Sequence, residues 1–267
     1  MYYEDRVVCY LDILAFKSHV GDSLNDKGED IPAKIADMAQ LIYSIRDLSN
    51  TDTLDERSRT EVTQFSDCVV ISFKADVESG VYYALSDIMC IQLNMVRRGY
   101  LCRGGIARGK VVHTPTLLFG PAMNQAYLLE LNSAVYPRVI LDESIIQTGL
   151  DAHGSHHLRR HEEESIMNLV RLDHDGFYYV DYIAFAQSEL DDPELDYPEY
   201  LSKIHQIITD GLREKSPSIK MKYQWMADKF QSHLDSVKKS VESTYPKDHP
   251  IRKAYESIGD FDLQFYR

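Results

Sequence analysis

Only four cysteines occur in 267 residues, and none of them forms a CxxC pair. That excludes a disulfide framework and argues against a thiol-based zinc motif. Cys9, Cys68, Cys90 and Cys102 each stand in an apolar or element-like context, as buried free thiols of a reducing compartment do. No apolar run approaches the ~20 residues that a membrane span needs, so no membrane partner is expected. The opening MYYEDRVV is acidic and lacks the basic-then-apolar layout of a signal peptide. A cytoplasmic location is the expectation. Positive charge is scarce as well: 29 Lys and Arg stand against 42 Asp and Glu, a formal net charge of −13. Sequence-independent nucleic-acid binding wants clustered cations, so no nucleic-acid partner is expected. A nucleotide is not excluded, because a metal ion and a few local cations can neutralise a triphosphate.

What is present is a core of ordinary size, with 44% hydrophobic residues. Residues 6–16, RVVCYLDILAF, are β-branched, aromatic and continuous, which predicts a core strand. In IPAKIADMAQLIYSIRDLS, residues Ile35, Met38, Ile42 and Ile45 keep helical spacing behind Pro32. A charged loop over residues 50–60 leads to EVTQFSDCVVISFKA, two strands broken by a tight turn at Ser66-Asp67. A helix over residues 78–98 ends at Gly99. YLCRGGIARGKVVHT then reads as a glycine-kinked strand pair, GPAMNQAYLLELNS as a short helix, and RVILDESII and FYYVDYIAF as further strands.

The predicted order is β-α-β-β-α-β followed by helix and strand, an α+β fold of the ferredoxin-like type. From about residue 190 the texture changes: ELDDPELDYPEY reads as a linker or cap. Two amphipathic helices follow, the second with Ile219, Tyr223, Met226, Phe230, Val237 and Val241 at heptad-like spacing. The expected division is residues 1–189 for the α+β domain and 190–267 for a helical extension packed on the core or at a dimer interface. HGSHHLRRH, residues 153–161, reads as an exposed loop rather than a metal site.

Two acids stand out because each lies inside an apolar run: Asp12 in CYLDILAF and Asp67 in TQFSDCVVISF. A carboxylate at the end of a core strand is costly unless it is paired or holds a cation. Turn chemistry also accounts for Asp67 taken alone, but not for Asp12. In the predicted fold the two strands are neighbours, so the acids could share Mg²⁺ or Mn²⁺, hard cations that take oxygen ligands. The stretch CRGGIARGKVVHTPTLLFGPAMNQAYLLE adds glycines, Arg103, Arg108 and Lys110, and then a helix carrying Asn124. Glycines admit close backbone approach to a ligand and basic groups pair with phosphate oxygens. A twisted strand pair with solvated basic residues is the plainer alternative.

These stretches resemble the four signature blocks of the class III nucleotidyl cyclases, the adenylate and guanylate cyclase family. YLDILAF is similar to FADIxGF, FSDCVVIS to the GDxxMA hairpin, GGIARGKVVH to GIHxGxVV, and FGPAMNQAYLLE to WGDTVNxASRLE. The blocks fall in family order across residues 5–145. The resemblance implies a ferredoxin-like catalytic core working as a head-to-tail homodimer, with active sites at the subunit interface. It implies two divalent ions per site, held by Asp12, Asp67 and the backbone carbonyl of Ile13. It further implies phosphate binding by backbone around Ala15, Phe16 and Lys17, and attack of the ribose O3′ on the α-phosphorus of a nucleoside triphosphate.

The departures narrow the expectation. The base-selecting Lys of purine cyclases is Thr63 here, and their second base-reading position is Leu117. A pocket without either polar reader loses the bonds that distinguish purines. Asn124 is kept, but the transition-state Arg four residues later is Leu128, for which Arg103, Arg108 or Arg138 could substitute. RGGIARG, GPAMNQAYLLE and AVYPRVILD are most similar to the bacterial pyrimidine cyclases of the Pycsar anti-phage systems. That branch implies cyclic UMP, or less favourably cyclic CMP, made as a second messenger for a separate effector protein. A purine cyclase and a catalytically silent nucleotide-binding module are the alternatives.

Overall fold

In a computed structural model, which describes residues 2–49, 60–156 and 158–261, the run around CYLDILAF forms strand β1 (Glu4–Ile13). Its β-branched residues suit a strand buried on both faces, and six consecutive positions from Arg6 to Leu11 are buried. The strand ends at Ile13 rather than at Phe16, because Ala15 adopts a left-handed φ of 57° and opens helix α1 (Phe16–Gly21). Helix α2 (Pro32–Ser49) follows, with proline in its first turn. The expected loop over residues 50–60 lies almost wholly outside the described residues.

Strands β2 (Glu61–Phe65) and β3 (Cys68–Lys74) form a hairpin around Ser66-Asp67, and helix α3 (Gly80–Arg97) returns to the sheet. Strand β4 (Cys102–Thr114) completes a β-α-β-β-α-β core. It is one continuous strand and not a strand pair; the short β5 (Leu117–Phe119) is its hairpin partner. Helix α4 (Pro121–Ser133), β6 (Val139–Leu141), α5 (Glu143–Asp151), α6 (Arg159–Met167), β7 (Val170–Leu172) and β8 (Tyr178–Val180) follow. Here RVILDESII divides: Asp142 accepts from the Ser144 amide as an N-cap, so the strand stops at Leu141. HGSHHLRRH likewise runs into α6 from Arg159 onward.

The sheet order is β2-β3-β1-β4-β6-β8-β7, with β5 on β4. The first four positions are those of the ferredoxin-like arrangement, and the chain is of the α+β class. One face of β1 and β3 packs on α3, where Cys9, Ile71 and Phe73 meet Gly80, Ala84 and Ile88 around a cavity of about 300 Å³. The other face packs on α4 through Val8, Tyr10, Val70, Ala107, Val111, Ala122 and Ala126. This explains the paired glycines of β4. A Cβ on Gly105 would lie 2.6 Å from the Ala126 carbonyl oxygen, so Gly105 serves the close seat of α4 on the sheet rather than a ligand.

The chain folds into two compact units, Met1–Val180 and Asp181–Arg267. The second unit holds helices α7 (Pro193–Leu212), α8 (Pro217–Thr244) and α9 (Pro250–Glu256). The supposed linker ELDDPELDYPEY is mostly the start of α7: the Asp192 carboxylate accepts from the Leu195 amide, and Pro193 occupies the first turn. Tyr197 and Tyr200 are buried there, each donating its hydroxyl to a backbone carbonyl, of Ile183 and Tyr182 respectively. Met226, Phe230 and Val241 of α8 are buried as the heptad spacing implies, while Ile219 is exposed. Among the described residues no helix is long and apolar enough to cross a membrane.

Candidate active site

Strand register decides which side chains meet. Asp12 of β1 lies opposite Cys68 of β3 on one side and opposite Arg103 of β4 on the other. Directly opposed residues share a face of the sheet, so Asp12, Cys68 and Arg103 project together. Asp67 joins them from the β2–β3 turn, and the Ile13 amide donates to the Asp67 carbonyl at 2.9 Å. That bond ties the end of β1 to the hairpin and sets the two acids side by side. Ligand atoms of Asp12, Asp67 and Cys68 all lie within 4.8 Å of one another.

The backbone on both flanks is strained. Ala15 (φ 57°) and Ser66 (φ 54°) are two of the three non-glycine residues with positive φ among the described residues. Such a conformation costs about 1 kcal/mol or more for a residue with a Cβ, and it concentrates where function over-determines geometry.

Charge around the acids is shared. Arg103 Nε lies 3.4 Å from Asp12 Oδ2 and 2.6 Å from Glu130 Oε1. Glu130 sits on the stripe of α4 that also buries Ala122 and Ala126, and is 3% exposed. The Cys68 thiol lies 2.7 Å from the Tyr10 hydroxyl and 3.7 Å from Asp67 Oδ1. Burial raises the Cys68 pKa, the neighbouring acids add to it and Tyr10 opposes it. The Tyr10 hydroxyl is also pushed up, by burial first and then by Cys68. Cys68 is therefore a neutral thiol here. With Cys68 neutral, the two carboxylates are left as oxygen donors of the kind that suits a hard divalent cation.

The other expected site residues divide into those near this face and those away from it. Thr63 lies opposite Val70 and shares the face of Tyr10 and Asp12. Its hydroxyl is 2.9 Å from His113 Nε2. Leu117, in the hairpin that carries His113, is exposed. Phe16 and Lys17 open α1 directly after the acid-bearing strand, where first-turn amides lack intrahelical acceptors. Asn124 and Leu128 stand one turn apart on the exposed side of α4. Beside them Tyr127, Leu131, Leu117 and Phe119 are exposed as well.

Two of the substitute cations are not brought to the acids. Arg108 lies opposite Val7, five positions along β4 from Arg103, and the pleat turns it to the opposite face. There it donates to Asp5 and to the Thr148 hydroxyl. Arg138 is fully buried between Asp173 and Asp175, with its guanidinium over the Tyr136 and Tyr179 rings. Within the protomer, Arg103 alone of the three reaches the acid pair. Sequence reasoning passed over Glu130 and His113. An acid at i+8 from Ala122 on a small-residue stripe was a readable sign of the first; nothing local marks the second.

No protein-family model matches the sequence, and no curated protein matches it. Solved structures show a distant likeness. One structure of a bacterial light-regulated adenylyl cyclase is 17% identical with a TM-score of 0.41, over 68% of this chain and 92% of that one. A second such structure is 15% identical with a TM-score of 0.43, over 67% and 52%. A class III adenylyl cyclase-like ATP-binding protein from Pseudomonas aeruginosa is 12% identical with a TM-score of 0.43, over 62% and 40%. Likeness at this level assigns no residue its role, which must come from the site itself.

Proposed function

We propose that the protein is a metal-dependent nucleotidyl cyclase that converts a pyrimidine nucleoside triphosphate, UTP in preference to CTP, into the 3′,5′-cyclic nucleotide and pyrophosphate. The convergence of Asp12 and Asp67, with the Ile13 main chain between them, carries this reading. Two carboxylates kept together at the end of a central core strand repel each other unless a cation is shared. Mg²⁺ or Mn²⁺, two ions per site, would supply Lewis-acid activation of the ribose 3′-hydroxyl and neutralisation of the triphosphate. Asp12, Asp67 and the Ile13 carbonyl are the residues that would hold them.

The chain's own groups do the rest. The amides of Phe16 and Lys17 bind phosphate oxygens. Arg103, beside Asp12, offers the guanidinium for charge developing on the α-phosphate where Leu128 cannot. O3′ bonds to the α-phosphorus as the bridging bond to the β-phosphate breaks; the hydroxyl proton passes to solvent and pyrophosphate departs. Thr63 and Leu117 border the base, and neither offers the charged reader that a purine pocket uses.

Asn124 faces out from α4 amid exposed Tyr127, Leu128 and Leu131. An apolar surface next to a catalytic amide supports a head-to-tail homodimer in which each Asn124 serves its partner's acids. The resemblance to the Pycsar branch supports a cyclic nucleotide that acts on a separate effector in anti-phage defence. A second reading, a nucleotide-binding module without turnover, is favoured by Leu128 together with the Arg103 contact on Asp12.

The test is to incubate the protein with ATP, GTP, CTP and UTP separately in Mn²⁺ and to resolve the products by chromatography. Cyclic UMP from the wild type, and none from Asp12→Asn or Asp67→Asn of intact fold, is expected. A cyclic purine keeps the chemistry and overturns the base assignment. No cyclic product from any of the four overturns the cyclase in favour of the silent module.

A further inference from the structure

Behind Thr63 lies a buried polar chain. Arg6 Nε donates to Ser72 Oγ at 2.9 Å, Ser72 Oγ lies 2.8 Å from His113 Nδ1, and His113 Nε2 lies 2.9 Å from Thr63 Oγ1. Arg6, Ser72 and His113 are 3%, 0% and 6% exposed. A sheet face that needs only to be packed has no use for such a chain, because every buried polar atom must then be matched.

The direction of each bond follows from counting protons. Arginine has only donors, so Ser72 Oγ accepts from Arg6. The Ser72 hydroxyl hydrogen then has one acceptor within reach among the described residues, His113 Nδ1. Nδ1 is therefore unprotonated, and the neutral ring carries its hydrogen on Nε2, pointed at Thr63. Thr63 Oγ1 accepts that hydrogen. Its own hydrogen has no acceptor among the described residues and can be offered to a ligand. Burial, and secondarily the charge of Arg6, lowers the His113 pKa to about 4, so the ring stays neutral near pH 7 and the polarity is kept.

We infer that His113 is a positioning residue that makes the Thr63 hydroxyl a fixed hydrogen-bond donor, so that the site accepts a pyrimidine edge bearing a carbonyl, as in uracil, against one bearing an amino group. This rests on the reading of the site as one for nucleoside triphosphates. Unoriented, a threonine hydroxyl donates or accepts as the ligand requires and discriminates little. Oriented, with one lone pair taken by His113, it meets a carbonyl-bearing edge with its hydrogen, whereas an amino-bearing edge has only the remaining lone pair to bond and makes the poorer contact.

Binding is the measurement that separates recognition from chemistry. The non-cyclising α,β-methylene analogues of UTP and CTP are titrated calorimetrically in Mn²⁺ into the full-length wild type and into the Thr63→Val, His113→Ala, His113→Gln and Ser72→Ala variants. Turnover of UTP and CTP is followed in parallel. The wild type is expected to bind the UTP analogue more tightly by about tenfold or more. That ratio should collapse in T63V and H113A, fall in S72A, and return in part in H113Q, whose amide can still donate to Thr63. A loss of packing would weaken both analogues together and leave the ratio in place. Should H113A fail to fold, T63V and S72A carry the same comparison. A wild-type preference for the CTP analogue, or an unchanged ratio in T63V and H113A, overturns the inference. Binding with the expected ratio but without turnover overturns the cyclase reading and leaves the inference standing; binding of neither analogue overturns both.

Discussion

The neutral state of His113 has a measurable cost in acid. Its folded pKa lies near 4 against the ordinary histidine value of 6.5, because the ring is buried and Arg6 is close. Between those values the unfolded chain takes up a proton that the native chain does not, so native stability is full above pH 6.5 and falls as pH drops toward 4. The depression corresponds to about 3 kcal/mol at one pKa unit per 1.36 kcal/mol. That is a large fraction of the 5–15 kcal/mol typical of a folded domain. Carboxylates and the other histidines titrate in the same range, so the quantity to read is a difference. Chemical denaturation of the wild type and of His113→Gln, at intervals from pH 7 to pH 4, should show the wild type losing about 3 kcal/mol more than the variant. The steepest divergence is expected between pH 6 and pH 4.5. Parallel curves for the two proteins would refute both the neutral ring and the proton count that assigns Ser72 as its donor.

Three further outcomes are expected. Arg103→Met removes the guanidinium beside the buried Glu130 and should destabilise the protein by about 3 kcal/mol in urea unfolding, most of it recovered in R103M/E130L; a loss below 1 kcal/mol would mean that the pair is not a buried one in effect. Gly105→Ala drives a Cβ to 2.6 Å from the Ala126 carbonyl oxygen, a backbone atom that cannot swing aside, and should cost about 2 kcal/mol or more; a neutral variant would show that α4 can lift from the sheet. Leu131→Asp, on the exposed side of α4, should halve the mass measured by light scattering and abolish turnover while changing thermal stability little; a wild type that is monomeric at micromolar concentration would sink the interface.

Periodicity and spacing made the central core readable. A continuous β-branched run, a two-residue hairpin and a helix behind glycine and proline are local patterns, and they specify β1, β2–β3 and α4 without help from the rest of the chain. The meeting of Asp12 and Asp67 followed from topology alone, since a β-α-β-β-α-β order places those strands together. What escaped was set by tertiary context. Arg108 looked interchangeable with Arg103 until the register fixed their faces, although an odd separation along one strand already forbids a shared face. Arg138 looked like a ligand cation, yet it neutralises two aspartates more than thirty residues away in the sequence. The acidic, proline-bearing segment before α7 has the composition of a linker, but Asp-Pro is equally a helix start, and the helical face behind it decides. The Arg6–Ser72–His113–Thr63 chain joins four strands' worth of sequence and leaves no local trace.

The same alternation that separates Arg103 from Arg108 gives the site its length. Asp12 lies opposite Cys68, and Thr63 lies opposite Val70, two residues farther along β3 on the same face. With strands about 4.8 Å apart and a rise of about 3.4 Å per residue, the backbones at Asp12 and Thr63 are about 12 Å apart across that face. On the proposed reading, acids that would hold a metal at one end and an oriented hydroxyl at the other are spaced for a ligand that is anionic at one end and planar and polar at the other, with a sugar between. A shorter anion such as pyrophosphate would reach the acids without touching Thr63. It should therefore bind wild type and Thr63→Val equally well, whereas the UTP analogue should lose affinity in the variant. Equal loss for both ligands would mean that Thr63 supports the fold of the acid site and does not read a base.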